Sequence, residues 1–265
     1  MDIMKYEKEL ALAKDLADKA GKIMHKYFNA EHRKTVKRDG SFVTAADTEA
    51  NDMVIEEIQK HFPDHGIIGE EASRHNGEDY TWICDPIDGT LQFTLGLPVT
   101  VFAIGFMHQG KMLMSVIYNP FTDDLAWAVK GEGAYLNDQK ISVSDREDIN
   151  ASVMDVFGAS KYFSKYKFFD NERSKYEFVP SGVYSGLYGG MLVACGRIDG
   201  AIFNMSPPHD SAMAQLLVVE AGGVATNLVG RDQRYDKPVF GLIVGNKKIH
   251  SELLKIVEPY LEIEQ

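Results

Sequence analysis

Asp85-Pro86-Ile87-Asp88-Gly89-Thr90 is the most informative run of this chain, and it directly follows the apolar segment Tyr80–Cys84. Pro86 has a fixed φ and no N–H to donate, which predicts a tight turn after a strand that ends at Asp85. Such a turn can direct the carboxylates of Asp85 and Asp88, together with the Ile87 carbonyl, toward one point. Hard oxygen ligands of this kind suit Mg²⁺. Taken alone, the run is also compatible with an ordinary acidic turn.

The residues that follow favour phosphate as the partner of this turn. Gly89 and Thr90 lead into Leu91–Phe93, which we predict to form a short helix. Backbone N–H groups at the start of a helix can bind anions. A carboxylate such as Asp85 could also bridge two metal ions, the arrangement used for in-line phosphoryl displacement. One short segment therefore predicts metal ligands and a phosphate cradle side by side.

The first half of the chain has the pattern of two helices followed by a sheet. Apolar residues recur at helical spacing over residues 3–28 and again over residues 45–62, where Thr44 and Asp47 fit a capping box. A polar, basic loop is predicted between the helices, at residues 29–41. The periodicity then becomes that of strands, which we predict at residues 66–69, 80–84, 99–107, 112–118 and 125–129.

The second half alternates strands and helices. We predict strands at residues 152–157, 198–203 and 240–244, and helices at residues 185–195, 210–221 and 248–258. A polar segment, Ser144–Asp148, separates the two patterns. We therefore predict an N-terminal α+β lobe of residues 1–145 and a C-terminal α/β lobe of residues 146–265.

Composition and charge exclude several classes of protein. The net charge of −11 weighs against nucleic acid as the main partner, because phosphate backbones require a basic face. Cys84 and Cys195 are too few for a disulfide framework. No apolar leader or membrane segment is visible, so we expect a soluble, cytoplasmic protein. Residues 161–177 interleave lysines with aromatic residues, and the acidic residues among them favour a surface helix or a partner contact.

The elements taken together resemble the inositol monophosphatase family. Trp82–Thr90 resembles the first signature of that family, and Gly69–Glu71 resembles its acidic G-E-E element. Val43–Asp47 resembles its V-T-x-x-D element. Asp210–Ala214 and Val219–Gly223 resemble its second signature. The elements occur in the order of the family and cover most of the chain.

The resemblance implies a fold and a metal centre. The fold would be a layered αβαβα sandwich of mixed α+β and α/β class, usually a homodimer, with roughly two to three Mg²⁺ ions per subunit and sensitivity to Li⁺. Glu70, Asp85 and the Ile87 carbonyl would hold the first ion. Asp85, Asp88 and Asp210 would hold the second, and a third ion would lie near Glu70 through waters.

The resemblance also implies catalytic and substrate-binding roles. Asp47 and Thr90 would orient the water nucleophile, with Glu71 as a supporting residue. The backbone N–H groups of Gly89 and Thr90 would bind phosphate, and we expect Asp88 and Asp210 to contact the substrate as well. Each residue has an ordinary interpretation when taken singly, for example Asp47 as a first-turn helix acid and Asp210 as a helix N-cap. Only their joint occurrence favours the catalytic interpretation.

Three segments depart from the family pattern: Leu91–Phe93, Gly182–Gly186 and Pro207–His209. They flank the expected substrate more than the metals, so they put the alcohol half of the substrate in doubt. We interpret His209 as part of a turn rather than as a substrate contact. The basic residues of the 29–41 loop could close over phosphate or form a mobile surface, and the sequence leaves both open.

The sequence therefore predicts a Mg²⁺-dependent phosphomonoesterase that uses a metal-activated water to hydrolyse inositol monophosphate to inositol and phosphate. The small-molecule ester could instead be fructose-1,6-bisphosphate, NADP(H) or a nucleotide 3′-phosphate. From other classes, a non-catalytic sugar-phosphate or metal sensor and a structural scaffold remain as alternatives.

Overall fold

The computed structural model describes residues 5–28, 35–36, 42–74, 79–157, 171–172, 175–204 and 207–261. Within these residues the chain forms a seven-stranded sheet, a five-stranded sheet and a two-stranded ribbon, with helices packed on the two large sheets. Most of the 161–177 segment lies outside the described residues. None of the described helices combines the length and hydropathy needed to cross a bilayer.

Two N-terminal helices cover one face of the seven-stranded sheet. They are α1 (Glu7–Tyr27) and α2 (Ala45–His61), close to the predicted ranges. Leu16 of α1 and Ile58 of α2 share a core with Trp82 and Phe106 of the sheet. Within the predicted loop at residues 29–41, Thr35–Val36 forms strand β1, which pairs with β2 (Phe42–Val43). The other residues of that loop lie outside the described part of the chain.

The seven-stranded sheet has its strands in sequence order, which reflects a series of short connections. Only its first pair is parallel, and the remaining pairs are antiparallel. The last two strands were not predicted, because they are short and meet at a tight turn in which Asn137 and Asp138 both have positive φ. The strands are β3 (Gly66–Gly69), β4 (Tyr80–Asp88), β5 (Val101–His108), β6 (Lys111–Asn119), β7 (Asp124–Val129), β8 (Gly133–Leu136) and β9 (Gln139–Lys140).

Strand β4 corrects the sequence prediction at its most informative point. The strand does not end at Asp85 but continues to Asp88, and its register against β5 shifts between these two residues. Asp85 faces Ala103 and Asp88 faces Val101, so β4 carries one extra residue there. Pro86 cannot donate to a ladder, and a bulge accommodates it without ending the strand. The predicted tight turn is therefore a β-bulge, followed at Gly89 by the short helix α3 (Thr90–Thr94).

The five-stranded sheet belongs to the second half of the chain. Its order is β11-β10-β12-β14-β13, with β10 parallel to both of its neighbours and β14 antiparallel to both of its own. The edge strands β11 and β13 were not predicted, since two or three residues are too few to show a period. The strands are β10 (Val153–Phe157), β11 (Val179–Pro180), β12 (Gly200–Phe203), β13 (Val224–Thr226) and β14 (Leu242–Gly245).

Two helices lie between the sheets and one lies outside them. Met191 of α4 (Gly186–Ala194) and Leu217 of α5 (Ala212–Glu220) share a core with Ala103 of one sheet and Val244 of the other. Leu253 of α6 (Lys247–Val257) packs on the opposite face of the five-stranded sheet. The layers are therefore α1/α2, sheet, α4/α5, sheet and α6, which confirms the predicted αβαβα sandwich.

The two halves of the chain share this middle layer. The first sheet ends at Lys140 and the second begins at Val153, a gap that contains the predicted boundary near residue 145. Because α4 and α5 of the second half pack against the first sheet, the halves have a common core. Their division into two lobes stays a prediction.

Candidate metal centre

The predicted acidic residues come from elements that meet at one edge of the seven-stranded sheet. Strands β3 and β4 are parallel, so the acids at their carboxyl ends lie side by side, and the Glu70 N–H donates to the Cys84 carbonyl at 3.2 Å. Asp47 is in the first turn of α2. Asp210 is in a 3₁₀ turn, Pro208–Asp210, just before α5. It was predicted to begin that helix, but Ser211 is the residue at the N-cap position.

Asp47 is fully buried and uses its two oxygens differently. Oδ2 accepts from the Thr44 N–H at 2.8 Å, which is the carboxylate half of the predicted capping box, and also from the Thr44 hydroxyl at 2.6 Å. Oδ1 lies 3.2 Å from the Thr90 hydroxyl, which can donate to it. Burial raises the pKa of Asp47 to about 6, and the charges of Glu70 and Glu71 add to the effect, while the bonds from Thr44 oppose it.

Asp47, Glu70 and Glu71 each bring one carboxylate oxygen to within 4.8 Å of the others. Among the described residues, this is the one group of three or more potential metal ligands that meets that distance. The resemblance implied a supporting role for Glu71, but its carboxylate falls within the same 4.8 Å limit as that of Glu70. The division of these acids between metal ligands and supporting residues stays a prediction.

Asp85 lies at the centre of the negative charge. Its side chain is 2% exposed, and Oδ1 accepts from the Ile87 N–H at 3.1 Å across the bulge. Burial raises the pKa of Asp85 well above its usual range, and the charges of Glu70, Asp88, Asp210 and Asp47 raise it further. A buried carboxylate among like charges is unfavourable unless a cation is bound. This all-oxygen donor set therefore fits a hard divalent cation such as Mg²⁺.

Asp88 is held by the N-terminus of α4, a contact that the sequence did not predict. Its Oδ2 accepts from the Ser185 hydroxyl at 2.6 Å, from the Leu187 N–H at 2.7 Å and from the Tyr188 N–H at 3.4 Å. Burial raises the pKa of Asp88, and these bonds, Ser185 first, counteract the rise. No local pattern could have revealed this contact, because Asp88 and Ser185 are 97 residues apart.

Gly89 and Thr90 connect the bulge to α3. Gly89 has a φ of 85°, a left-handed conformation that glycine adopts without strain. The Thr90 hydroxyl lies 3.2 Å from Asp47 Oδ1 and 3.1 Å from the Ile87 carbonyl. It has a single proton, so it donates to one of them at a time. The structure therefore brings Thr90 into contact with both Asp47 and the predicted carbonyl ligand.

The positions that depart from the family pattern are next to residues of this centre along the chain. Leu91 is 40% exposed, and Tyr184 is 65% exposed with a φ of 59°. His209 lies within the 3₁₀ turn, as interpreted from the sequence, with Nε2 3.6 Å from Asp210 Oδ1.

Comparisons with known proteins agree with this geometry. The sequence model of the inositol monophosphatase family matches residues 5–262. The chain is 34% identical to a histidinol-phosphatase of Chlorobaculum parvum, over 94% of this chain and 96% of that protein. It is 30% identical to a fructose-1,6-bisphosphatase/inositol-1-monophosphatase of Aquifex aeolicus, over 97% of this chain and 98% of that protein.

Among solved structures, the Thermotoga maritima IMPase superposes with a TM-score of 0.86 at 27% identity. The match covers 96% of this chain and 98% of that one. Fold, acidic edge and sequence therefore lead to one conclusion: the chain belongs to the inositol monophosphatase family, a family of metal-dependent phosphatases.

Proposed function

We propose that this chain is a Mg²⁺-dependent phosphomonoesterase that hydrolyses inositol monophosphate to inositol and phosphate. The observation that carries the proposal is Asp85, which is 2% exposed and lies among other carboxylates at one edge of the sheet. Such an arrangement stores negative charge in the absence of a cation, and a divalent ion relieves it. Phosphoryl transfer is the chemistry for which proteins commonly use such ions.

The residues that would hold the metals are those implied by the family. Glu70, Asp85 and the Ile87 carbonyl would bind one Mg²⁺. Asp85, Asp88 and Asp210 would bind a second, and a third would lie near Glu70. When bound, Mg²⁺ lowers the pKa of water and offsets the charge of phosphoryl oxygens. The structure supports the proposal through the donor chemistry, since every side chain in the set presents oxygen.

The Asp47–Thr90 pair would orient the attacking water. When the Thr90 hydroxyl donates to Asp47 Oδ1, its lone pairs are left to accept a hydrogen bond from water. The buried Asp47 would receive the proton that the water loses, by way of the Thr90 hydroxyl.

Backbone groups beside this pair would orient the substrate. Thr90 opens α3, so its N–H has no acceptor within that helix and can donate to a phosphate oxygen, as can the N–H of Gly89.

The alcohol half of the substrate is a separate part of the proposal. Inositol monophosphate is supported by the fructose-1,6-bisphosphatase/inositol-1-monophosphatase of Aquifex aeolicus, which matches nearly end to end. The second candidate is histidinol phosphate, because the Chlorobaculum parvum relative of that activity has the higher identity. Leu91 and the segment around His209 differ from the residues that the family commonly has, which leaves the alcohol open.

A substrate panel tests the proposal. Purified protein with and without MgCl₂ is assayed for phosphate release from inositol 1-phosphate, histidinol phosphate, fructose-1,6-bisphosphate, NADPH and a nucleotide 3′-phosphate. We expect Mg²⁺-dependent turnover, with the highest kcat/KM on inositol 1-phosphate. A clear preference for another ester would replace the substrate and leave the chemistry intact, whereas no release from any ester would favour the metal or sugar-phosphate sensor.

A charge-removing variant tests the metal centre itself. Asp88→Asn should lower turnover by orders of magnitude, because it removes a ligand charge. Asp52→Asn, an exposed residue of α2, serves as the matched control and should retain activity. We further propose that the protein is a homodimer inhibited by Li⁺, which light scattering and inhibition assays would check.

A further inference from the structure

The segment 181–187, which leads into α4, is held at both ends by carboxylates. At its start, Asp155 of β10 accepts from the Ser181 hydroxyl at 2.7 Å and from the Gly182 N–H at 2.8 Å. At its end, Asp88 of β4 accepts from the Ser185 hydroxyl at 2.6 Å and from the Leu187 N–H at 2.7 Å. The segment therefore connects the five-stranded sheet to the acidic edge of the seven-stranded sheet.

Ser185 has an unusual position for a helix-capping residue. It is the N-cap of α4, yet its side chain makes no capping bond to its own helix. Its hydroxyl donates to Asp88 instead, and Asp88 accepts the backbone N–H of Leu187 in the first turn. Asp88 thus takes the role that an N-cap side chain usually has. Ser185 is 1% exposed, so solvent does not compete for its hydroxyl.

These bonds all fall on one oxygen of Asp88. Oδ2 receives two short hydrogen bonds and a longer one from Tyr188, which occupy its lone pairs. A cation at the acidic edge would therefore be left with Oδ1. The Cβ of Ser185 also lies 3.1 Å from the place a Cβ would occupy on Gly89, so the contact is closely packed.

The backbone just before Ser185 adopts a conformation that must be held in place by its surroundings. Tyr184 has a φ of 59° and Gly182 a φ of 69°. A tyrosine in the left-handed region is strained, and such strain persists only where the surroundings hold it in place. The backbone N–H bonds of Gly182 to Asp155 and of Leu187 to Asp88 restrain the segment on either side.

We propose that Ser185 is a positioning residue for Asp88, whose hydroxyl fixes the rotation of the carboxylate so that Oδ1 is presented to a metal ion. The inference rests on the proposed function, since it takes Asp88 as a metal ligand. Partners that orient metal ligands typically change metal affinity by about 10- to 100-fold when they are removed. Ser185 acts through Asp88 and has no direct contact with substrate in this proposal.

The test measures Mg²⁺ binding directly, by calorimetric titration of the whole protein with MgCl₂ and no substrate. Ser185→Ala should weaken Mg²⁺ binding by about 10- to 100-fold. Ser181→Ala is the matched control, because it removes a similar hydroxyl–carboxylate bond from the same segment but leaves Asp88 untouched. We expect its Mg²⁺ affinity to stay within about twofold of the wild type.

Kinetics provide a second readout. Ser185→Ala should need about 10- to 100-fold more Mg²⁺ for half-maximal phosphate release, with kcat largely restored at saturating Mg²⁺. A role limited to folding would lower the melting temperature of both serine variants and change Mg²⁺ affinity in neither or in both equally. Either of those two results would overturn the inference. If Ser185→Ala does not fold, Ser185→Cys keeps the shape with a much weaker donor and should show the same loss.

Asp88→Asn separates this inference from the proposed function. If Asp88→Asn abolishes Mg²⁺ binding at the second position and Ser185→Ala does not weaken it, only the positioning role is wrong. If Asp88→Asn binds Mg²⁺ as the wild type does, Asp88 is not a ligand, and the proposed metal assignment is overturned together with the inference.

Discussion

Asp47 shows that the contacts required by two alternative interpretations of one residue are compatible with each other. As a first-turn acid it caps α2 through Oδ2, and as a partner of Thr90 it uses Oδ1. The two roles do not compete, because a carboxylate has two oxygens that accept in different directions. The capping function also fixes the side chain, so the oxygen that faces Thr90 is held in place without further restraint.

Replacing Thr90 by valine tests the catalytic half of this arrangement. Thr90→Val preserves shape and removes the hydroxyl, so we expect kcat to fall by about 10²- to 10⁴-fold, with a much smaller change in KM. Thr94→Val is the control, because that hydroxyl bonds to the Leu91 carbonyl within the same helix. Equal activity of the two variants in a phosphate-release assay would contradict the role of Thr90.

The position before Glu70 has room only for glycine. A Cβ at this position would lie 2.3 Å from the Ala72 carbonyl and 2.4 Å from Asn51 Oδ1. Gly69→Ala should lower the free energy of unfolding by about 1–3 kcal/mol, because backbone must move to relieve the overlap. It should also weaken Mg²⁺ binding, since Glu70 would move with it.

Gly131→Ala provides the comparison for that variant. Gly131 has a φ of 87° and open space around its missing Cβ, in the turn between β7 and β8. We expect it to lose about 1–2 kcal/mol of stability through its backbone conformation and to bind Mg²⁺ normally. Chemical denaturation and calorimetry measure both properties, and normal Mg²⁺ binding by Gly69→Ala would refute the link to Glu70.

At the scale of elements, the bulge in β4 explains how Asp85 and Asp88 come to lie together. An uninterrupted strand would place Asp85 and Asp88 on opposite faces of the sheet, because side chains alternate with period two. The extra residue at the bulge shifts that alternation, so both acids act at the same edge. Bulges are frequent beside active sites for this reason.

Helix α6 contains a buried histidine that makes stability dependent on pH. His250 is 5% exposed, its Nε2 lies 2.9 Å from the Thr226 hydroxyl of β13, and burial lowers its pKa to about 4. The folded state thus binds a proton less readily than the unfolded chain, whose histidine titrates near pH 6.5. The stability that neutral His250 contributes to the folded state is therefore complete above about pH 6.5 and is lost as the pH falls toward 4.

Substitution of His250 tests that dependence. Between pH 7 and 4.5 the wild type should lose about 2–3 kcal/mol of unfolding free energy through this residue. The unfolding free energy of His250→Gln should change correspondingly less with pH over the same range, whatever the absolute stability of the variant. Urea unfolding at a series of pH values measures the slopes, and parallel curves for the two proteins would rule the prediction out.

At the scale of the whole molecule, the candidate metal centre lies where the two halves of the chain meet. Asp85 and Asp88 come from the first sheet, whereas Ser185, Leu187 and Asp210 come from the second half. A ligand that binds this junction binds the folded state alone, because the unfolded chain does not bring these residues together.

Mg²⁺ should therefore stabilise the protein as a whole. At a free Mg²⁺ concentration of about 100 times Kd, linkage predicts about 2.7 kcal/mol of added stability and a higher Tm. EDTA should reverse the shift, and Asp85→Asn should reduce it. Thermal unfolding that is unchanged by Mg²⁺ in the wild type would favour the structural scaffold over the enzyme.

The sequence by itself determined the elements with a clear period, their order and the acidic residues of the candidate site. Short-range forces set these features: helical or strand spacing of apolar residues, capping at Thr44, and the glycine needed after the bulge. Edge strands of two or three residues escaped prediction, because they are too short to have a period. The bulge in β4 escaped it because pairing with β5, not local preference, keeps Pro86 within the strand.

Only the tertiary structure decided the pKa values and the orientations of the acidic side chains. The raised pKa of Asp85 depends on burial, on Asp88 of the same strand and on carboxylates from three other segments. The orientation of Asp88 depends on a helix that begins 98 residues later. Electrostatic and hydrogen-bond energies depend on distance in space rather than along the chain. They are therefore absent from any local pattern and appear only when the layers pack.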